Sequence, residues 1–472
     1  MSTTRTQTSA LVTIISVFFF WGFVAASNDI LIPVFKGALD LTQVESQMIS
    51  FAFYVAYTVG SLIYFGISRI SGQDILNRIG YRNGLSLGLL ISAAGTLLFI
   101  PAANTSSFPL LITGLFIVGL GFSLQQTAAN TIMIVLGDPA KASQRLSMAG
   151  GINNIGTTIG PVIIAFAIFG SASSASTTLD LQSVKLPYIA LGIAFVVVAA
   201  IFRFSSVPDR IEAITGDTAQ STDVRKSPFA YPQLVLGMIA IFVYVGVEVS
   251  TASNLPEFMR IHLGMESHQV APYVSLFWAS LMIGRWTSAA GAFGIGPEAR
   301  MKLNLVLPII AFSIFLLVNF IAGSDVTIFY QYLFLVFVLI AADSISEGNP
   351  VRQLLLYSIL GIAALVTGIF ATGMISAYAF IAVGLFCSTL WPCIFTIAIH
   401  DLGKHTNEGA SLLIMMIMGG GFVSLLQGYL ADDALLGIQH SYWVGVACFA
   451  YLAFYAWRMR GMTFTEVNAG GH

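Results

Sequence analysis

Asp29 lies inside an apolar run from about residue 10 to residue 35, Glu248 inside a run from 232 to 259, and Arg285 inside a run from 269 to 293. A charged side chain at the centre of a bilayer costs about 3 kcal/mol on insertion scales and persists by facing a polar cavity or an opposite partner. Three such groups point to a path for a solute or an ion. A carboxylate on that path gains a further use, because protonation removes the cost of carrying its charge through a closing cavity.

Amides accompany the charges. Asn28, Gln125, Gln126, Asn130, Asn153, Asn154 and Asn254 interrupt apolar sequence, and Trp278 and Trp391 add aromatic faces. Such groups could line the path of a polar solute. Gln126 and Asn130, four apart, share one helical face. Each residue also has a plainer reading. The amides would then bond helix to helix, Asp29 would hold a fixed cation or cap a helix before Pro33, and Trp391, next to the kink expected at Pro392, would be an interface tryptophan. Glu248 reads either as a second coupling acid or as a hydroxyl ligand, and Arg285 as a gate or an ion-pair partner.

The elements that carry these residues follow from composition. Of 472 residues, 57 % are hydrophobic and 9 % charged, against about a quarter charged in soluble domains. That excludes a soluble protein. A helix needs roughly 20 apolar residues to cross the hydrocarbon core, and fourteen runs approach or exceed that: 10–35, 48–70, 84–102, 108–136, 146–170 and 186–204, then 232–259, 269–293, 302–322, 326–342, 353–373, 375–399, 409–431 and 440–458. Residues 205–231 are polar and aperiodic and read as a linker. The shortest run, 326–342, is the one whose crossing is hardest to defend by length. The first run leads into Asn28 and Asp29 rather than into a small-residue cleavage site, so it is expected to remain as a helix.

Basic residues test the count, since one helix more or fewer inverts every later loop. With the N-terminus inside, Arg5, Arg69, Arg78, Arg82, Lys141, Arg145, Arg203, Arg210, Arg225, Lys226, Arg300, Lys302, Arg352, Lys404, Arg458 and Arg460 are cytoplasmic, and Lys36, Lys185 and Arg260 are outside. Both termini are therefore expected in the cytoplasm. The three cysteines, Cys387, Cys393 and Cys448, all sit in apolar runs with no metal or disulfide spacing. No arrangement of nucleophile, base and orienter is visible, so an enzyme is not expected.

The two halves resemble each other. NTIMIVLGDPAKASQR followed by GGINNIGTTIGPVIIAF matches FTIAIHDLGKHTNEGAS followed by MGGGFVSLLQGYLAD, which pairs run four with run twelve and run five with run thirteen. The second half then holds two helices too many, placed at 302–342 as an inserted hairpin and read as a lipid-facing addition with no transport role, because its polar content is low and lies near the ends. The glycines at 150, 151, 156, 160, 419, 420 and 421 read as permits for close helix approach.

Several stretches resemble the major facilitator superfamily and, within it, the fucose:proton symporters and glucose/galactose transporters. They are FFFWGFVAASNDILIP, LQQTAAN, RLSMAGGINNIGTTIGP, FVYVGVEVSTASNLPEF, SLMIGRW and LFCSTLWPCIFTIAIHDLG. The resemblance implies an all-α polytopic membrane protein: six-helix bundles at 1–204 and 232–472 joined by the linker, with the hairpin inserted in the second, about fourteen transmembrane helices in all. It implies alternating access around a sugar, with Asp29 in proton coupling and Asn153 and Glu248 at family positions. The fucose branch has a glutamate where this chain has Gln126, which cannot carry a proton at neutral pH. That departure moves the expected substrate toward glucose, galactose or mannose. The loop GQDILNRIGYRNGL, with Asp74, Arg78 and Arg82, is similar to the superfamily's gate-locking loop.

The expected partners are a small-molecule sugar and the lipid bilayer, with no nucleic acid, no resident metal and no cofactor beyond a coupling ion, H+ or Na+. A monomer in a bacterial inner membrane is expected. A sodium-coupled symporter, an uncoupled facilitator, an exporter of another solute class and a sugar sensor are the competing readings; carboxylate and amide oxygens would suit sodium as a hard cation.

Overall fold

The computed structural model describes residues 11–24, 43–72, 74–136, 141–169, 182–205, 207, 227–265, 267–290, 297–321, 323–432 and 434–464, and among them there is no strand. Among the described residues each of the fourteen apolar runs coincides with helix; residues 25–35 of the first run and 291–293 of the eighth lie outside them. In chain order these are α1 (Leu11–Val24), α2 (Gln43–Ser71), α3 (Tyr81–Thr105), α4 (Phe108–Val135), α5 (Ala142–Phe169), α6 (Gln182–Arg203), α7 (Pro232–Leu263), α8 (Ser267–Ala289), α9 (Pro297–Ile321), α10 (Thr327–Ser346), α11 (Pro350–Phe370), α12 (Gly373–Ala398), α13 (Thr406–Leu430) and α14 (Trp443–Arg458). Ten of them are long and apolar enough to cross a membrane by that measure alone.

The chain forms two compact units. The first holds residues 1–137, 152–228 and 401–415, and the second 138–151, 229–400 and 416–472. Two helices are therefore divided in membership: α5 after Gly151, and α13 after Met415, where a 3-10 turn over Met416–Met418 interrupts the α-helix. Within the first unit α3 packs on α4 and α6, and α2 on α4, while Asn153 of α5 bonds to the Phe18 carbonyl of α1. The second unit repeats the scheme, with α11 on α12 and α14, α8 on α12, and α7 on the latter part of α13. Run four thus corresponds to run twelve and run five to run thirteen, as the internal repeat in the sequence requires. The pair α9–α10 is left without a counterpart.

That pair is fixed to α8. Tyr332 and Ser280 share a hydrogen bond of 2.7 Å between their hydroxyls, and Asn319 donates to Ser275 at 3.4 Å. Its outer face is apolar and exposed, as at Leu317, Phe320, Phe334, Phe337 and Ile345. The expectation of a lipid-facing surface agrees with this, but the inner face carries a carboxylate, Asp343, which is buried. The run 326–342 looked short because hydropathy discounts Asp343, Ser344 and Ser346. All three are satisfied within the protein, the serines by donating to carbonyls of their own helix, so α10 extends through them.

Close approach of α3 and α4 depends on missing side chains. A Cβ on Gly95 would lie 2.7 Å from both the Gly114 carbonyl oxygen and the Val118 nitrogen, and one on Gly114 would lie 2.9 Å from the Gly95 carbonyl oxygen. Backbone cannot step aside as a side chain does. A polar relay crosses the same interface: the Trp21 indole donates to Gln125 Oε1 at 2.7 Å, Gln125 Nε2 donates to Ser92 Oγ at 3.0 Å, and Ser92 donates to the Val118 carbonyl at 3.2 Å. It joins α1, α3 and α4 with Gln125 wholly buried. Gln125 is accordingly a structural amide.

Two outcomes follow from this packing. Gly95→Leu is expected to abolish the monodisperse full-length protein in detergent size-exclusion chromatography, because the clash is with backbone on both sides. Gln125→Leu leaves the Trp21 N–H without an acceptor, a loss of about 1–3 kcal/mol, and is expected to lower the melting temperature in a tryptophan-fluorescence scan by several degrees while the protein remains folded.

Candidate functional site

In the first unit the candidate groups lie along α4 and the helices against it. Successive residues on a helix point about 100° apart, so Gln125 and Gln126 serve different neighbours. Gln125 turns into the Trp21 relay, whereas Gln126 turns to α2, where its Nε2 donates to the Tyr57 hydroxyl at 2.9 Å. Gln126 is half-buried and Tyr57 buried. One turn further on, Asn130 is 2 % exposed, and its Oδ1 has no hydrogen-bond partner among the described residues. An acceptor buried without a partner is costly. Asn153, half-buried on α5, spends its Nδ2 on the Phe18 carbonyl at 2.8 Å. Its neighbour Asn154 is buried and supplies its backbone carbonyl to Thr157 and Thr158. Asn28 and Asp29 lie outside the described residues.

In the second unit the carboxylate of Glu248 accepts a hydrogen bond from the Tyr244 hydroxyl one turn earlier on α7. The Arg285 guanidinium is close enough for its charge to act on Glu248. Arg285 owes its position to a proline. Pro392 has no N–H with which to bond the Ser388 carbonyl, and α12 breaks at Ser388–Thr389 before a new helical segment starts at Leu390. The carbonyl so released accepts Arg285 Nε at 3.0 Å. Arg285 Nη1 also reaches the Gly150 carbonyl at 3.5 Å, and Trp286 Nε1 donates to the Gly151 carbonyl at 3.1 Å. A Cβ on Gly150 would lie 3.1 Å from Arg285 Cδ, and one on Gly151 2.6 Å from Trp286 Cδ1. Adjacent side chains of α8 thus seat the glycine pair of α5.

Trp391 stands just past the break, half-buried, with its ring 6.4 Å from Tyr244 and 5.6 Å from Phe395. The structure therefore gathers Glu248, Tyr244, Arg285 and Trp391. Asn254 is on the same helix as Glu248 but donates to the Ser250 carbonyl of its own turn at 2.8 Å. Trp278 is 44 % exposed and packs edge-on against Phe277, so it stands apart from that group.

In the loop after α2 the acid is engaged by hydrogen bonds. Asp74 caps the short helix Ile75–Ile79 by accepting from the Asn77 backbone N–H at 3.0 Å, and it accepts from the Tyr64 hydroxyl at 3.0 Å. Burial pushes the Asp74 carboxyl above the ordinary carboxylate range, and those hydrogen bonds oppose the shift. Arg78 is exposed, and Arg82 donates to the Ser205 carbonyl at 3.0 Å. Beside them Tyr81 donates to Asn407 Oδ1 at 2.6 Å, and Ser411 donates to the Ser61 carbonyl, so the start of α13 is held on α2 and α3. His405 and Glu408 form a buried pair at 2.7 Å.

Sequence reasoning passed over the two phenols. Tyr244 precedes Glu248 by four residues, the spacing that places two side chains on one helical face, and that signal was available. Tyr57 had no such mark, because its partner lies 69 positions away in the chain.

A model of the Major Facilitator Superfamily matches residues 9–346. The glucose/galactose transporter of Brucella abortus is 34 % identical over 448 residues, which cover 94 % of this chain and 93 % of that protein. The L-fucose-proton symporter of Escherichia coli is 26 % identical over 475 residues, covering 96 % and 93 %. Among solved structures, the transporter FucP in its outward conformation aligns over 97 % of this chain and 100 % of its own with a TM-score of 0.74 at 23 % identity, a likeness of fold. The chain belongs to the Major Facilitator Superfamily.

Proposed function

We propose that the chain is a secondary active sugar transporter that moves a hexose such as glucose, galactose or mannose by alternating access, in symport with protons. The supporting observation is the likeness, over nearly the whole of both chains, to a protein named glucose/galactose transporter. The residues agree in kind. From the first unit Gln126, Asn130 and Asn153, with Asn28, offer amides to sugar hydroxyls, and the partnerless Oδ1 of Asn130 is an acceptor suited to a hydroxyl donor. From the second unit Glu248 offers a carboxylate and Trp391 a ring face, with Asn254 and Trp278 as outlying contributors. Arg285, Asp74, Arg78 and Arg82 act in gating. The reaction makes and breaks no covalent bond in the sugar, so the protein is a carrier.

Asp29 is the coupling acid in this reading, and Glu248 is either a second one or a direct ligand. Gln126 donates and accepts without titrating, which separates this chain from a two-carboxylate relay. The excess of basic residues in alternate loops supports termini in the cytoplasm and residence in a bacterial inner membrane, where the chain works as a monomer.

The test is uptake of labelled sugars into proteoliposomes under a pH gradient or a sodium gradient. Hexose uptake with substrate-induced alkalinisation is expected; uptake that follows sodium and leaves pH unchanged rejects proton coupling. Asp29→Asn is expected to abolish accumulation under an inward proton gradient while sugar counterflow continues, and accumulation by that variant would remove Asp29 from coupling. Gln126→Leu is expected to raise the sugar KM about tenfold, the equivalent of one hydrogen bond, with Vmax nearly unchanged. An unaltered KM would assign Gln126 to helix packing with Tyr57.

A further inference from the structure

Asp343 has no assigned task in the reading above, and its surroundings are those of a working residue. It lies 5 % exposed on the inner face of α10, where an ionisable side chain is expensive and is kept for a purpose. Gln353 of α11, wholly buried, donates to Asp343 Oδ1 at 2.8 Å, and Asn304 of α9 donates to Oδ2 at 3.3 Å. Arg300, in the first turn of α9, is near enough for its charge to act on the carboxylate. The contacts continue past Gln353. Its Nε2 also reaches Ser288 Oγ of α8 at 3.3 Å, and its Oε1 accepts the Cys393 thiol of α12 at 3.4 Å. Cys393 Sγ in turn lies 3.8 Å from Ser143 Oγ, in the first turn of α5.

A second approach reaches that turn independently. Gly348, in the left-handed region at φ +74° immediately after α10, leaves room for two side chains: a Cβ there would lie 3.0 Å from Arg300 Nη2 and 3.3 Å from Gln144 Cδ. Arg300 and Gln144 therefore meet the end of α10 at a residue without a side chain. Residues 138–151, which contain this turn of α5, belong to the second unit, while the rest of α5 belongs to the first. The inserted pair is thus attached to the segment of α5 whose membership changes along the helix.

We propose that Asp343 is a positioning residue that holds the first turn of α5 through Gln353 and Cys393, so that the α9–α10 pair is a brace on the transport cycle. The carboxylate fixes the orientation of the Gln353 amide, and only that orientation leaves Oε1 facing the thiol. Without the acceptor at Asp343 the Gln353 amide keeps only its longer contact to Ser288 Oγ at 3.3 Å, so the orientation that presents Oε1 to the thiol is held less firmly and the support of the Ser143 contact weakens. The consequence for turnover rests on the transport reading, whereas the docking of the turn stands apart from it.

The native thiols make the docking measurable. In full-length protein reconstituted in liposomes, with Cys387 replaced by serine, maleimide labelling of Cys393 and Cys448 is followed by mass spectrometry. Asp343→Ala is expected to raise the labelling rate of Cys393 about tenfold, the size expected for one charge-assisted hydrogen bond, with Cys448 unchanged. Asp343→Asn, which keeps a carbonyl acceptor for Gln353, should restore protection. Gln353→Leu should repeat the effect of Asp343→Ala and serves if that variant is not recovered folded. Unchanged Cys393 labelling in both variants, or a parallel rise at Cys448, overturns the brace. In sugar uptake, Asp343→Ala should lower Vmax several-fold with KM unchanged and Asp343→Asn should recover it; exposed Cys393 with normal Vmax overturns the role in the cycle. Absence of uptake by the unmutated protein would refute the sugar reading and leave the labelling result to decide the docking.

Discussion

Hydrocarbon offers no partner to a polar group, and this constraint bears on the amides, hydroxyls and charges of the described helices. Its sharpest expression is the carbonyl of Ser388. Pro392 removes the N–H that would have bonded it, the helix breaks, and the oxygen must be satisfied from another helix. Arg285 supplies the bond at 3.0 Å. Once held there, its charge acts on Glu248, its Nη1 reaches Gly150, and the neighbouring Trp286 bonds to Gly151. One missing hydrogen atom thereby ties α12 to α8, whose Arg285 and Trp286 in turn meet the start of α5.

The same constraint explains which features were legible in the sequence. Helix positions were, because length and apolarity are what a membrane span needs, and the described part of every run coincides with helix. Pairing between the halves was too, since the matched segments around NTIMIVLGDPAKASQR and FTIAIHDLGKHTNEGAS occupy matched packing positions. The extent of α10 was not, because hydropathy weighs the type of a residue and ignores its environment. Asp343 counts against a span until its bonds to Gln353 and Asn304 are known.

The candidate site was legible in residue type and obscure in partnership. Gln125 and Gln126 are identical neighbours, yet one completes a relay from Trp21 to Ser92 and the other meets a tyrosine. Only the direction of each side chain separates them, and direction depends on helices distant in sequence. Asp74 shows the same limit: its place in a loop with Arg78 and Arg82 resembles a gate-locking loop, and its bonds to the Asn77 N–H and the Tyr64 hydroxyl appear only in the fold. Asp29, the most informative residue of the sequence, keeps its standing on sequence grounds.

The phenols of Tyr57 and Tyr244 carry a thermodynamic implication. Each already bonds one atom of a proposed sugar ligand, Gln126 Nε2 in one unit and a Glu248 carboxylate oxygen in the other. If Gln126 and Glu248 hold the cargo as proposed, a hydroxyl that displaces either tyrosine gains only the small difference between two similar contacts. Weak retention follows from such internal competition. For a carrier whose task ends in letting its cargo go, a resident competitor at each proposed anchoring group would keep release from becoming the slow step.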